Sequence, residues 1–249
     1  MLLKNKTAVV TGCNRGIGKE IVKSFSKNGA TVLACVRKTD ESFNNLIQEI
    51  SIKNHNTIKP FELDLNNEEG VLKTATSILS EYKKIDVLVN NAGIIHTAPF
   101  QMTSKKKLKE IFEVNFFSQC LFTQLISKSM IKNKSGSIIN MSSISAYYGN
   151  EGRAAYSSSK AALETYSKTM SRELGKFNVR VNIISPGLIN TDMLKNNTSD
   201  KILNIDQYFN SLSKFEIDMK STLPLYDSNF RILKYNNQID DLRIDNINK

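Results

Sequence analysis

Cysteine and histidine are scarce, at three and two residues in a chain of 249. Cys13, Cys35 and Cys120 are odd in number, far apart, and form no Cys-x-x-Cys pair. That pattern excludes a disulfide framework, and the three read as small apolar filler. His55 and His96 stand alone, so no histidine-based metal site is expected and no metal is assigned. No run of about eighteen apolar residues occurs, so no membrane-spanning helix and no membrane partner are expected. The opening Met1-Leu2-Leu3-Lys4-Asn5-Lys6 is too short and too charged for a signal peptide, and a strand pattern follows at once. The expected location is the cytoplasm. Glycine also disappears: all 11 lie at or before Gly187, and none occurs from Leu188 to Lys249.

The remaining composition is that of a soluble globule, 40% hydrophobic and 23% charged, long enough for one large core. The net charge of +10 is spread along the chain. Only Lys105-Lys106-Lys107 forms a block, and it reads as a solvated helix start. No nucleic-acid partner is expected; a basic balance also suits an anionic cofactor or an acidic protein.

Short β-patterned runs alternate with helical ones. Strands are expected at 7–11, 31–36, 57–63, 85–89, 136–141 and 179–184. Helices are expected at 17–27, 42–52, 68–82, 105–132 and 154–175. Alternation of this kind builds right-handed βαβ units. The expected fold is α/β: a Rossmann-type, doubly wound parallel β-sheet with helices on both faces, in a single domain. Such a sheet binds ligands at the carboxyl ends of its strands.

The turn after the first strand reads Thr11-Gly12-Cys13-Asn14-Arg15-Gly16-Ile17-Gly18. Its glycines let the backbone approach a pyrophosphate, and the next helix offers free N–H groups and its positive dipole end. A carboxylate at the end of the second strand would hold the ribose hydroxyls of NAD and repel a 2′-phosphate. Here that strand runs into Val36-Arg37-Lys38, with no acid before Asp40. Arg37, with Arg15, is placed to pair with the phosphate, which favours NADP(H). Asp64, followed by Leu65, is placed to accept the adenine amino group, with a turn or capping role as its alternative. Asn90-Asn91-Ala92-Gly93 ends the fourth strand with small residues and amides that let a planar cofactor pass close.

Tyr156 and Lys160 are spaced four apart on a helix and share a face. An ammonium near a phenol favours the phenolate, so a lowered Tyr156 pKa is expected. Tyr156 then exchanges a proton with a carbonyl oxygen as hydride moves. Lys160 can also hold the nicotinamide ribose. Ser143, just past a strand, can hydrogen-bond the substrate oxygen, and Asn115 can carry a water that relays protons to Lys160.

From about Lys6 to Leu194 these motifs resemble the short-chain dehydrogenase/reductase family. The resemblance implies a catalytic tetrad of Asn115, Ser143, Tyr156 and Lys160. It also implies a nicotinamide lining from Pro186 and Gly187 to Thr191, with Ile189 and Thr191 on the carboxamide side. Gly149 to Tyr156 and Pro186 to Met193 resemble the 3-oxoacyl-acyl-carrier-protein reductases, which use NADPH on a β-keto thioester. A small-molecule or carrier-bound substrate and a homo-oligomer, a tetramer, are implied. Lys134 keeps the charge of a carrier-docking position, and Phe177 loses it. The alternatives are a family member acting on a sugar, polyol or other small alcohol or ketone, and a non-catalytic NADP(H)-binding protein. Residues 1–194 are expected to form the NADP-binding catalytic domain. Residues 195–249 form an atypical tail without the family's usual final Gly-rich turn and strand.

Overall fold

A computed structural model describes residues 1–187, 189 and 191–195. The atypical tail lies outside the described residues apart from Lys195.

Six parallel strands form one sheet. In chain order the elements are β1 (Thr7–Thr11), α1 (Gly16–Lys27), β2 (Thr31–Val36), α2 (Glu41–Asn54), β3 (Ile58–Glu62), α3 (Glu68–Glu81), β4 (Val87–Asn90), α4 (Lys105–Phe112), α5 (Ser118–Lys132), β5 (Gly136–Met141), α6 (Ser145–Tyr148), α7 (Ala154–Leu174), β6 (Val179–Ile184) and α8 (Asp192–Lys195). Strand order is β3-β2-β1-β4-β5-β6. The order reverses between β1 and β4, so the chains leaving these strands diverge and open a crevice at their carboxyl ends. Thr11 ends β1 and Asn90 ends β4, which puts the Gly-rich turn and Asn91-Ala92-Gly93 on the two lips of that crevice.

The strands read as apolar runs because both faces are covered. Period-two alternation sorts them. Ala8, Val10, Val32 and Ala34 join Val22, Phe43, Ile47 and Ile50 in a core under α1 and α2. Val9, Leu33, Leu88 and Ile138 join Ile78, Phe122, Ile126 and Met130 in the other, under α3 and α5. Phe122 is 0% exposed. Its truncation to alanine would cost about 3–5 kcal/mol. Pro60 is tolerated because β3 is an edge strand, where a missing N–H breaks no ladder on the open side.

Helix starts divide into two kinds. Asp40 caps α2 through Phe43 N at 2.8 Å, Asn67 caps α3 through Gly70 N at 3.1 Å, and Ser104 caps α4 through Lys107 N at 3.2 Å. Arg15 at the start of α1 supplies no side-chain cap, and the first turn of α1 carries no acid. Its N–H groups face the Gly-rich turn.

The expected single helix over 105–132 is interrupted. A π-helical turn, Glu113–Phe117, separates α4 from α5. Nothing in the apolar spacing marks it, since one widened turn leaves the surface stripe almost continuous. No helix among the described residues is long and apolar enough to cross a membrane. Nor is any group of three or more His, Cys, Asp or Glu among them arranged for a metal ion.

Candidate active site

The Gly-rich turn is locked by β4. Thr11 Oγ1 accepts from Asn91 N and Ala92 N, each at 3.0 Å, and Asn91 Nδ2 donates to Thr11 O at 3.1 Å and Gly12 O at 2.9 Å. This clamp leaves no space for side chains inside the turn. A Cβ at Gly12, whose φ is +64°, would stand 2.6 Å from Ala92 Cα. One at Gly18 would stand 2.2 Å from Gly12 O. Gly16 also needs its positive φ of +53°, and a Cβ there would lie 3.3 Å from Thr191 Cγ2. Thr191 therefore reaches the Gly-rich turn. A tight turn of bare backbone before an uncapped helix start fits a pyrophosphate.

The far end of the crevice carries the charges. Asn14, Arg15, Arg37 and Lys38 are exposed. The two carboxylates nearest the end of β2 are in use. Asp40 caps α2, and Glu62, in register with Val36, accepts from Thr39 N and Thr39 Oγ1, each at 2.9 Å. These two bonds, with Lys38 nearby, hold the Glu62 carboxyl below its ordinary range. Asp64 Oδ1 accepts from Asn66 N at 3.0 Å, so this carboxylate also shapes a turn. The Leu65 side chain is 5% exposed and belongs to the core, which leaves only its backbone to face a cofactor. Ile17 leans partly buried on the α1 side of the sheet.

At the other end the structure gathers Asn115, Ser143, Tyr156 and Lys160. Asn115 is fully buried in the π-helical turn. Its Oδ1 accepts from Ile94 N at 2.8 Å, and its Nδ2 donates to Ile94 O at 2.8 Å and Ser159 Oγ at 3.1 Å. Ser159 Oγ in turn donates to Tyr156 O at 2.7 Å. Both amide hydrogens of Asn115 are thus used, so a relay water would have to donate to Oδ1. Gly93 keeps this corner open: a Cβ there would stand 3.3 Å from Asn115 Oδ1 and 3.5 Å from Lys160 Nζ.

Lys160 is 3% exposed and donates from Nζ to Met141 O at 2.8 Å. Burial lowers its pKa from 10.5 to about 8. Its Nζ lies 6.0 Å from the centroid of the Tyr156 ring. The expected lowering of the Tyr156 pKa is not what the structure gives. Burial raises it, and the Ser143 hydroxyl and the Arg153 charge oppose that shift without reversing it. Desolvation of the phenolate outweighs the nearby donors because the ring sits in a largely water-free wall. The loop after β6 closes the site: Ile144 N donates to Pro186 O at 3.1 Å, and a Cβ at Gly187 would meet Ile144 Cδ1 at 3.7 Å.

The geometry is thus a dinucleotide crevice ending in a buried Ser–Tyr–Lys–Asn cluster, and the comparisons with known proteins agree with it. A family model described as short chain dehydrogenase matches residues 6–202. The chain belongs to the short-chain dehydrogenase family. It is accordingly an oxidoreductase of a family that works with a nicotinamide cofactor. A 3-oxoacyl-acyl-carrier-protein reductase of Chlamydia muridarum is 36% identical over 203 residues, 82% of this chain and 81% of that protein. Its counterpart in Chlamydia trachomatis is 38% identical over 194 residues, 78% of each chain. Among solved structures, one assigned as an NAD(P)-dependent gluconate 5-dehydrogenase of Beutenbergia cavernae, with NADP bound, has a TM-score of 0.74 at 30% identity. That likeness covers 78% of this chain and 76% of the other. An NAD+-bound xylitol dehydrogenase has a TM-score of 0.71 at 26% identity, over 75% and 72% of the two chains.

Several residues of this dehydrogenase's site were not singled out by sequence reasoning. Met141 O, Ser159 and the clamping hydroxyl of Thr11 act through backbone contacts that no spacing encodes. Thr11 alone had a signal, since it opens the Gly-rich motif.

Proposed function

We propose that this short-chain dehydrogenase reduces a 3-oxoacyl thioester carried on acyl carrier protein, using NADPH. The observation that carries the reading is the cluster of Ser143, Tyr156, Lys160 and Asn115 at the end of a crevice where β2 is followed by Arg37 and Lys38, with no acid before Asp40. The identity to 3-oxoacyl-acyl-carrier-protein reductases supports the substrate class.

In this reading the N–H groups of the Gly12–Gly18 turn and of α1 hold the pyrophosphate. Arg37 and Arg15 take the 2′-phosphate, Asp64 the adenine amino group, and Lys160 the nicotinamide ribose. Asn91, Ala92 and Gly93 form one wall, and Pro186, Gly187, Ile189 and Thr191 the other. When bound, the cofactor supplies a hydride to the carbonyl carbon.

The side chains handle the oxygen. Ser143 Oγ and Tyr156 Oη hydrogen-bond it, and Tyr156 gives it a proton. Burial holds the phenol protonated, which is the form needed for donation in the reductive direction. Lys160, with a pKa near 8, exchanges protons close to neutral pH and can restore the phenol. Asn115 Oδ1 holds the water that feeds it. A homo-oligomer belongs to the same reading, checked by light scattering.

A second reading, oxidation or reduction of a sugar or polyol, is favoured by the likeness to the gluconate and xylitol dehydrogenases. NADPH absorbance separates the two. Turnover of acetoacetyl thioesters is expected; turnover only of ketoses or polyols overturns the acyl reading. Cofactor binding with no turnover of either panel leaves a non-catalytic NADP(H)-binding protein.

A further inference from the structure

Glu164 is a buried carboxylate with no part in the proton transfer described above. It lies on α7 one turn beyond Lys160 and is 6% exposed. Its Oε1 accepts from Ser142 Oγ at 2.6 Å and from Ser185 Oγ at 3.0 Å. Among the described residues no lysine or arginine forms an ion pair with it. Burying a carboxylate on hydroxyl donors alone is a costly way to fill a core position, where leucine would pack without that penalty.

The two serines explain the choice. Ser142 immediately precedes Ser143 at the end of β5. Ser185 immediately precedes Pro186-Gly187 at the end of β6. Backbone bonds already join these loops, from Ser142 N to Ile184 O at 2.7 Å and from Ile144 N to Pro186 O at 3.1 Å. Glu164 adds a side-chain staple from the helix that carries Tyr156 and Lys160. One oxygen atom therefore refers three segments to each other: the strand end holding Ser143, the loop lining the nicotinamide, and the helix of the proton donor.

We propose that Glu164 is a positioning residue that sets the substrate-oxygen partner Ser143 and the Pro186-Gly187 cofactor wall relative to Tyr156. It rests on the oxidoreductase reading of the site and is independent of which carbonyl compound is reduced. The two arms have separable jobs. The Ser185 arm holds the cofactor wall, so its loss weakens cofactor binding. The Ser142 arm holds Ser143, so its loss slows the chemical step. A misplacement of about 1 Å at such a site costs up to about a hundredfold in rate.

Four variants test this, read by NADPH fluorescence titration, by kcat and KM on whichever carbonyl substrate the wild type reduces, and by melting temperature. Ser185→Ala is expected to raise the Kd for NADPH about tenfold, and Ser142→Ala to lower kcat about tenfold with that Kd unchanged. Glu164→Ala should show both effects. Glu164→Gln should restore most of both, because an amide oxygen accepts from the same two hydroxyls. Glu164→Ala lowering only the melting temperature, with Kd and kcat as in wild type, overturns the proposal. So does an identical pattern for the two serine variants. If Glu164→Ala fails to fold, the serine variants carry the test. A wild type that reduces no carbonyl compound sinks the oxidoreductase reading instead. The NADPH titration of Ser185→Ala still reads its arm in that case.

Discussion

Lys160 should make the cofactor-free protein less stable at neutral pH than an apolar residue of the same length would. Its ammonium is removed from water and gains only the Met141 carbonyl, so its pKa falls from 10.5 to about 8. Between about pH 8 and 10.5 the folded state binds fewer protons than the unfolded state, and stability rises with pH across that window. The full penalty is present below about pH 8 and fades as pH approaches the unfolded value of 10.5. A shift of that size corresponds to about 3 kcal/mol. Replacing Lys160 by methionine removes the titrating group and also the bond to Met141 O. The second effect is nearly independent of pH, because a neutral amine donates as well. Urea unfolding of both proteins without cofactor, at about pH 7 and about pH 10, separates the two. The advantage of Lys160→Met should shrink by about 2–3 kcal/mol between those values. A difference that stays flat would show that Lys160 is not desolvated as the structure has it, and the proton-exchange role argued from it would fail.

Four further outcomes are expected. Tyr156→Phe should lower kcat by about a hundredfold or more while NADPH still binds, read by absorbance and fluorescence titration. Arg37→Asp should shift preference from NADP toward NAD by about ten- to a hundredfold in kcat/KM, since a charge-assisted contact is replaced by repulsion. Gly18→Ala should lose at least about 1–3 kcal/mol of stability and most cofactor affinity, because its Cβ would press on Gly12 O, which is backbone and cannot yield. Cys13 and Cys35 should resist thiol reagents at mildly alkaline pH until the chain unfolds. Burial pushes the Cys13 thiol up to about 12 and holds the Cys35 thiol well above its ordinary value, so little thiolate forms.

The sheet was legible because its signals are local and repeated. Buried parallel strands read as short apolar runs, whereas the caps Asp40, Asn67 and Ser104 were not read from the sequence and emerge only from the structure. The glycines of the first turn were legible from their spacing, and the structure requires Gly12 and Gly18 for close backbone approaches and Gly16 for its positive φ. What escaped has no local signature. The π-helical turn at Glu113–Phe117 contains neither proline nor glycine, yet it buries the Asn115 amide against Ile94. The direction of the Tyr156 shift also escaped, because helical spacing reports which groups are near and says nothing of the water that leaves. Glu164 looked like an ordinary polar residue of a helix until Ser142 and Ser185 were brought to it from two strands. The carboxylate uses of Asp40, a cap, and Glu62, a partner of Thr39, both emerged only from the structure.

The uncapped start of α1 means that part of this protein's stability is held outside the chain. α2, α3 and α4 begin on side-chain caps, whereas α1, like α5 and α7, begins on none, and its start lies in the Gly-rich turn. In the proposed reading a dinucleotide phosphate would complete the start of α1, and it would act by mass action. At a hundredfold excess over its Kd such a ligand adds about 3 kcal/mol to the folded state. On that reading the lifetime of the polypeptide would follow the supply of that nucleotide, since an unliganded chain unfolds and is degraded more readily. The turn proposed to hold the cofactor would then make the amount of enzyme a record of how much cofactor there has been.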